Sequence, residues 1–286
     1  YDALSEQIWM QDQEGNVIET DFDGSGRSEH RRITTLDVDF DYEIEQHVYG
    51  EVPLGLVAEQ VEMVLGAAYS VSIFTTFAGD VEGQVAHIWL KRRTDGSDQS
   101  MTPGPTFLDA PAATMQHHPV PGHDGNVCTP QLGKPGLWAD RLPHFRMGLT
   151  PSAGNEVQSE FFVEASAGSA AFDSLREAAS GFVDRLMVGE IRSVAADELW
   201  MSPHFDRASI AFHFTWHAGD NERAVSAVEA ALAPFAPRPH WGKVFHADRF
   251  SAADAYEMFD DFVEMTNRLD PHGVFRNEWW HRVLGV

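Results

Sequence analysis

The sequence predicts an α+β fold in which a large antiparallel β-sheet is flanked by helices. Three observations lead there. Several segments alternate apolar and polar residues with period 2, as half-buried strands do. Others place apolar residues at i, i+3, i+4 and i+7, the stripe of a helix packed on one side. Strands and helices do not alternate regularly, several strand pairs are joined by short turns, and no internal repeat occurs, so an antiparallel sheet fits better than a doubly wound one.

Taken in order, Gln7–Met10 and Val17–Glu19 flank Glu14-Gly15-Asn16 and read as a β-hairpin. Residues 21–31 are polar and glycine-bearing, which is loop chemistry. From Ile33, Leu36, Val38 and Phe40 alternate with Asp37, Asp39 and Asp41, the pattern of a half-buried strand, and a second strand covers Ile44–Tyr49. Leu54, Val57, Val61, Val64 and Ala68 share one face of a helix of about four turns. Strands follow at Val71–Phe77 and Val85–Leu90. Residues 94–143 are rich in Pro, Gly and His and lack periodicity; so long an irregular stretch covers a site or an interface in a compact domain. Further strands are expected near His144–Leu149, Val157–Val163, Val188–Val194 and Ser209–Trp216. Helices are expected at Ala170–Met187, Glu222–Phe235 and Ala252–Leu269.

The chain has 286 residues, 44 Asp and Glu against 20 Lys and Arg, and a formal charge of −24. That balance argues against binding nucleic acid or an anionic membrane surface, because phosphates need clustered cations. No apolar run is long enough to span a bilayer, and a cytoplasmic location is expected. A hydrophobic content of 43% supplies a core. The single cysteine, Cys128, excludes an intrachain disulfide. A carboxylate-rich surface with three lysines (Lys91, Lys134, Lys243) suits high salt, and an acidic protein of no special habitat fits the same counts. The chain opens Tyr1-Asp-Ala-Leu, without methionine or signal-peptide character, so a fragment or a processed product is expected.

Residues two apart on a strand share a face. Glu190 and Arg192 therefore project together from Gly189-Glu-Ile-Arg-Ser, and His213 and Thr215 project together from Ala211-Phe-His-Phe-Thr-Trp, opposite Phe212, Phe214 and Trp216. Each strand offers an apolar side to helices and a polar side carrying acid, base and hydroxyl groups. Two readings stay open: a solvent-facing ion pair with a histidine under a loop, or a site. Arg238-Pro-His-Trp-Gly-Lys243 sets a scarce lysine beside aromatics. A buried Lys243 near Arg192 would stabilise a developing alkoxide or a reduced anionic cofactor. The alternative is a lysine at a strand edge with its stem on Trp241. His117, His118 and His123 lie in a proline-rich loop without the carboxylate spacing of a metal site, so no metal is expected. No GxGxxG, P-loop or GxSxG sequence occurs.

These three segments resemble the alditol (xylitol/sorbitol) oxidases, in the aldonolactone-oxidase group of the vanillyl-alcohol-oxidase type of FAD flavoproteins. Gly66-Ala-Ala-Tyr-Ser-Val-Ser-Ile-Phe-Thr-Thr, Leu142-Pro-His-Phe-Arg-Met, Gln158-Ser-Glu-Phe-Phe-Val and Leu269-Asp-Pro-His-Gly-Val-Phe-Arg-Asn support the resemblance, which covers most of residues 47–286. It implies a two-domain enzyme, with residues 1–42 a remnant of an FAD-binding domain, 43–268 the substrate-binding cap, and 269–286 a segment packing back toward the FAD domain. Residues around Asp23–Arg31 are shorter and more polar than the family's glycine-rich equivalent. The flavin-linking histidine, the pyrophosphate loop and the serine beside the flavin are missing, so the chain is not expected to bind FAD alone; an FAD domain in the same or a separate chain is the implied partner.

Carried over by position, Glu190, Arg192, Thr215 and Lys243 match substrate-contacting residues, and His213 matches a histidine beside the reacting carbon; Lys243, Arg192 and His213 are the implied catalytic set. The implied reaction oxidises the C1 hydroxyl of an alditol to an aldose, with O2 reduced to hydrogen peroxide. Two alternatives remain: an aldonolactone such as D-arabinono-1,4-lactone as substrate, or a catalytically inactive polyol-binding module.

Overall fold

A computed structural model describes residues 7–11, 17–22, 28–34, 42–146 and 155–285, with side chains described from residue 42 onward. The chain divides into two compact units, Tyr1–Asp41 and Tyr42–Val286.

In the first unit, β1 (Gln7–Gln11), β2 (Val17–Phe22) and β3 (Ser28–Thr34) form an antiparallel sheet in that order. The β1–β2 pairing is the expected hairpin, with Trp9 opposite Glu19. The expected loop over 21–31 is shorter than its polar composition suggests, because Ser28–Arg31 pair with β2 as strand. The alternation from Leu36 to Asp41 lies outside the described residues.

The second unit is built on an eight-stranded sheet. Its elements in chain order are β4 (Glu43–Pro53), α1 (Leu54–Glu59), α2 (Val61–Leu65), β5 (Ser70–Thr75), β6 (Val85–Arg93), a small hairpin of β7 (Thr106–Phe107) and β8 (Ala110–Pro111), and β9 (Gly136–Leu137). There follow β10 (Val157–Glu164), α3 (Gly168–Ala178), β11 (Leu186–Val194), β12 (Ser209–Trp216), α4 (Glu222–Leu232), β13 (Arg238–Pro239), α5 (Ala252–Ala255), α6 (Phe259–Leu269) and α7 (Glu278–Leu284). The strand order is β13-β10-β12-β11-β5-β6-β4-β9, and every pairing is antiparallel. The expected α+β class with a large antiparallel sheet is the one found.

One face of this sheet carries the main core. Ile73, Ile88, Phe161, Ile191, Phe212, Phe214 and Trp216 pack against Leu54, Val57 and Val61 of α1–α2, Phe172 and Leu175 of α3, and Val225, Val228 and Leu232 of α4. Helix α3 approaches so closely that a Cβ on Gly168 would stand 2.1 Å from Cδ1 of Ile210, so only glycine fits there. The opposite face carries a smaller cluster of Val48, Phe74, Trp89 and Val188, packed by Cys128, Val120, Val127 and Phe145 from the irregular segment. That stretch therefore roofs the second face of the sheet.

Four expected helices and one strand differ in extent. The helix expected over Leu54–Ala68 is broken at Gln60 (φ −113°, ψ 26°), and the kink leaves Val61, Val64 and Leu65 buried on the sheet. The helix expected over 170–187 ends at Ala178. A 3₁₀ turn follows to Gly181, where an added Cβ would stand 2.9 Å from Cβ of Ala227 on α4, and Leu186 opens β11. Residues 233–235 tighten into a 3₁₀ turn at Pro234, which has no N–H to continue α4. The segment 252–269 splits at Tyr256, whose extended backbone (φ −123°, ψ 119°) separates α5 from α6. Near His144 there is a single bridge between Phe145 and Cys128 instead of a strand through its described residues; residues 147–149 lie outside them.

Candidate functional site

The register brings the polar groups together. Glu160 of β10 lies directly opposite His213 of β12, and His213 lies opposite Glu190 of β11. Glu190 in turn faces Phe74 of β5. Since paired residues share a face, Glu160, His213 and Glu190 form a row across three strands on the side away from the main core. Thr215 is two residues from His213 on that side, and Arg192 two from Glu190.

Arg192 and Lys243 meet on Glu160. Arg192 donates to Oε1 at 2.8 Å, and Lys243 donates to Oε2 at 2.5 Å. Lys243 is delivered by the turn after β13, where its N–H bonds the carbonyl of His240 at 3.0 Å and β13 pairs with Phe161 and Phe162. Glu160 is 4% exposed, so its charge requires these partners. Burial pushes its carboxyl up, but Lys243 and Arg192 outweigh that and hold it below the ordinary glutamate range. The expected proximity of Lys243 and Arg192 is present, with a carboxylate between them. The aromatic next to Lys243 is committed elsewhere: the Trp241 ring packs edge-on against Tyr256 at 5.6 Å and Trp279 at 5.5 Å.

Glu190 anchors a second set of contacts. Nε2 of His144 lies 3.0 Å from Oε1, and Ser72 Oγ lies 3.3 Å from the same nitrogen. Arg192 Nε is 3.7 Å from Oε1, and Nδ1 of His213 is 3.9 Å from Oε2, too long for a hydrogen bond but close enough for charge to act. Burial raises the Glu190 carboxyl, yet His144, then Arg192 and Ser72, bring it down to about 2. Glu190 is thus ionised at neutral pH and is no surface ion pair. His213 is neutral there: burial, then the charge of Lys243, hold its imidazole at about 4 against the pull of Glu160 and Glu190.

A cavity of about 180 Å³ opens on this row. Glu190, His213 and Thr215 line its floor, and His144, His118 and Phe145 stand among its walls. Arg192, Lys243 and Glu160 are not among the lining residues; Arg192 stands next to the lining Glu190, its Nε 3.7 Å from Oε1. Nε2 of His213 is buried and has no hydrogen-bond partner among the described residues. A buried ring nitrogen left unpaired is costly. A larger cavity, about 350 Å³, lies on the helix side along α4, but its polar groups His246, Glu229 and Arg249 are bound to one another.

His118 and His123 stack at 4.9 Å beside the smaller cavity, and His118 Nδ1 accepts from the Val120 N–H at 2.9 Å. Among the described residues no group of three His, Cys, Asp or Glu gathers as a metal site. Likewise, no helix among them is long and apolar enough to cross a membrane. Sequence reasoning missed Glu160, Lys91, His144 and Ser72. Glu160 was detectable, since it shares strand parity with Gln158 in the stretch Val157–Val163.

Comparison with known proteins gives the chain's relatives. Residues 155–283, which include Glu160, Glu190, Arg192, His213, Thr215 and Lys243, match the family described as ALO: D-arabinono-1,4-lactone oxidase. The alditol oxidase of Streptomyces sp. (strain IKD472) is 41% identical over 254 residues, covering 87% of this chain and 58% of that protein. The L-gulono-1,4-lactone dehydrogenase of Mycobacterium tuberculosis is 34% identical over 97 residues, covering 34% of this chain and 23% of that protein. The chain thus spans little more than half the length of the alditol oxidase it matches. A solved chain described as "Structure of FgChi7B" superposes with a TM-score of 0.52 at 10% identity, over 96% of this chain and 66% of that one, a likeness of fold alone. Residues 155–283 thus match the D-arabinono-1,4-lactone oxidase family, and the relatives that the chain resembles include named oxidases.

Proposed function

We propose that this chain is the substrate-binding portion of an FAD-dependent oxidase that acts on the C1 hydroxyl of alditols such as xylitol and sorbitol. The observation that carries the proposal is a neutral His213 that lines a small cavity together with Glu190 and Thr215, its buried Nε2 without a hydrogen-bond partner among the described residues. Oxidising a primary alcohol removes a hydroxyl proton and a hydride from one carbon. A neutral imidazole can hold the hydroxyl and accept its proton. Glu190, ionised, accepts hydrogen bonds from neighbouring hydroxyls, and the Thr215 hydroxyl both donates and accepts. An analogue lacking one of those hydroxyls would leave buried groups unpaired and be rejected. Arg192 and Lys243, held on Glu160, add positive potential where negative charge develops. The 41% identity to an alditol oxidase supports the alditol as substrate class. The family description and the lactone dehydrogenase relative favour an aldonolactone as the second reading.

FAD does not fit the described residues. The cavity, about 180 Å³, falls below even the roughly 300–1,000 Å³ of pockets for drug-sized ligands, and the sequence has no phosphate-cradling loop. The flavin is therefore assigned to a domain outside this chain. In the same proposal residues 1–42 are the end of that domain, 43–268 are the cap, and 269–286 return toward it. The exposure of Leu269 (71%), Val274 (74%) and Phe275 (86%) supports an apolar partner for that last segment. The test joins the chain to an FAD-binding domain of this family and adds xylitol under air. Flavin bleaching and peroxide release are expected. Bleaching by D-arabinono-1,4-lactone but not by xylitol would select the second reading, and no bleaching by either would leave an inactive polyol-binding module.

A further inference from the structure

Bonded to His144 of the cavity wall, and itself not lining the cavity, is a lysine that the proposed chemistry does not use. Lys91 of β6 is 1% exposed. Its ammonium donates to the carbonyl of Leu142 and to Nδ1 of His144, the latter at 3.2 Å. An ammonium can only donate, so Nδ1 of His144 must accept, and the imidazole proton is left on Nε2. That N–H points at Oε1 of Glu190, 3.0 Å away. The edges of the Phe74 and Trp89 rings hold the imidazole plane, with centroids at 5.3 and 5.5 Å.

We infer that Lys91 and His144 are positioning residues for Glu190: Lys91 locks His144 as the neutral Nε2–H tautomer, and that N–H fixes one carboxylate oxygen so that the other faces the cavity. Calling them positioning residues rests on the proposed role of Glu190 as a polyol contact. The hydrogen-bond chain itself does not. A histidine beside an ionised carboxylate ordinarily becomes an imidazolium, which would cancel the charge of Glu190. Here burial and the Lys91 ammonium keep it neutral, so Glu190 retains its full negative charge for the ligand. The charged and titratable groups facing His144 are Lys91 from β6 and Glu190 and Arg192 from β11; Cys128, from the roofing segment, faces Lys91.

Burial brings the Lys91 amine down to about 8, so the ammonium is the form present below neutral pH. The experiment is ¹⁵N NMR of the full chain labelled at histidine, followed from pH 7 to pH 5. In the unaltered protein His144 is expected to show a protonated Nε2 and a bare Nδ1 throughout. In Lys91→Met, Nδ1 is expected to take up a proton within that range and His144 to titrate as an imidazolium. The conservative Lys91→Arg, which keeps a donor, is expected to restore the neutral form at least in part. Unchanged His144 titration in a folded Lys91→Met protein would overturn the inference. So would a proton on Nδ1 in the unaltered protein. If Lys91→Met fails to fold, His144→Gln provides the second measurement. Gln keeps a donor toward Glu190, so the xylitol-induced shift of the His213 signals should survive in it and be lost in His144→Phe; equal shifts in both variants would also overturn it. A normal Lys91 response in a protein whose histidines ignore xylitol would refute the polyol reading and leave the hydrogen-bond chain standing.

Discussion

Glu160 accepts the Lys243 ammonium at 2.5 Å across 83 residues of chain, and its other oxygen holds Arg192. One buried carboxylate therefore holds both cations. Removing it leaves like charges together without their anion. Glu160→Gln is expected to cost about 2–3 kcal/mol, the low end for breaking a buried pair because Arg192 stays partly exposed. Urea unfolding checks the value, and a loss below about 0.5 kcal/mol would mean the carboxylate is not holding the cluster.

Acid should destabilise the second unit before its carboxylates titrate. His213 is held at about 4 when folded and rises to the ordinary histidine value, roughly 6.5, when unfolded. A depressed histidine contributes stability above the unfolded value, because the unfolded chain binds the extra proton. That contribution is lost as pH falls from about 6.5 toward 4. Melting temperatures across this window should decline, and less steeply in His213→Gln. Equal slopes would remove His213 from the acid response.

A second histidine should act in the opposite direction. His246 bonds Glu229 through Nδ1 at 2.5 Å and Glu222 through Nε2 at 2.8 Å, tying the segment after Lys243 to α4. Burial lowers its pKa, but the two carboxylates win and raise it above the ordinary value. A raised histidine contributes fully below about 6.5 and loses that contribution as pH climbs through its folded value. Amide exchange of residues 244–250 should therefore speed up above neutral pH beyond the ordinary base effect, and His246→Gln should remove the excess. No excess in the unaltered protein would contradict the clamp.

The main core predicts a cost independent of any site. Phe214 stacks on Trp216 at 5.3 Å and meets Phe182 at 5.8 Å. Phe214→Ala should cost about 3–5 kcal/mol in denaturant unfolding, as lost transfer energy plus a cavity. A cost near 1 kcal/mol would show that the helices collapse onto the gap.

Much of this was legible from residue spacing. Period-2 alternation put Glu190 with Arg192 and His213 with Thr215 opposite Phe212, Phe214 and Trp216, and the sheet has them so. Helix ends were less legible: Phe182 and Leu186 keep a helical spacing although α3 has already ended at Ala178 and tightened into a 3₁₀ turn. His144 could not be found from pattern, because it comes from a segment without periodicity and is placed by the bridge between Phe145 and Cys128. Lys91 is one of three lysines, yet only the fold shows that it meets His144.

The most direct measurement of the central claim is a xylitol titration of the chain, followed by ¹⁵N NMR at Nε2 of His213. A saturable shift of that nitrogen is expected, weakened at least tenfold in Thr215→Val and in Glu190→Gln. A His213 signal that stays fixed while xylitol is raised to molar concentration, or one that moves equally in both variants, would contradict the assignment of this cavity as the polyol site.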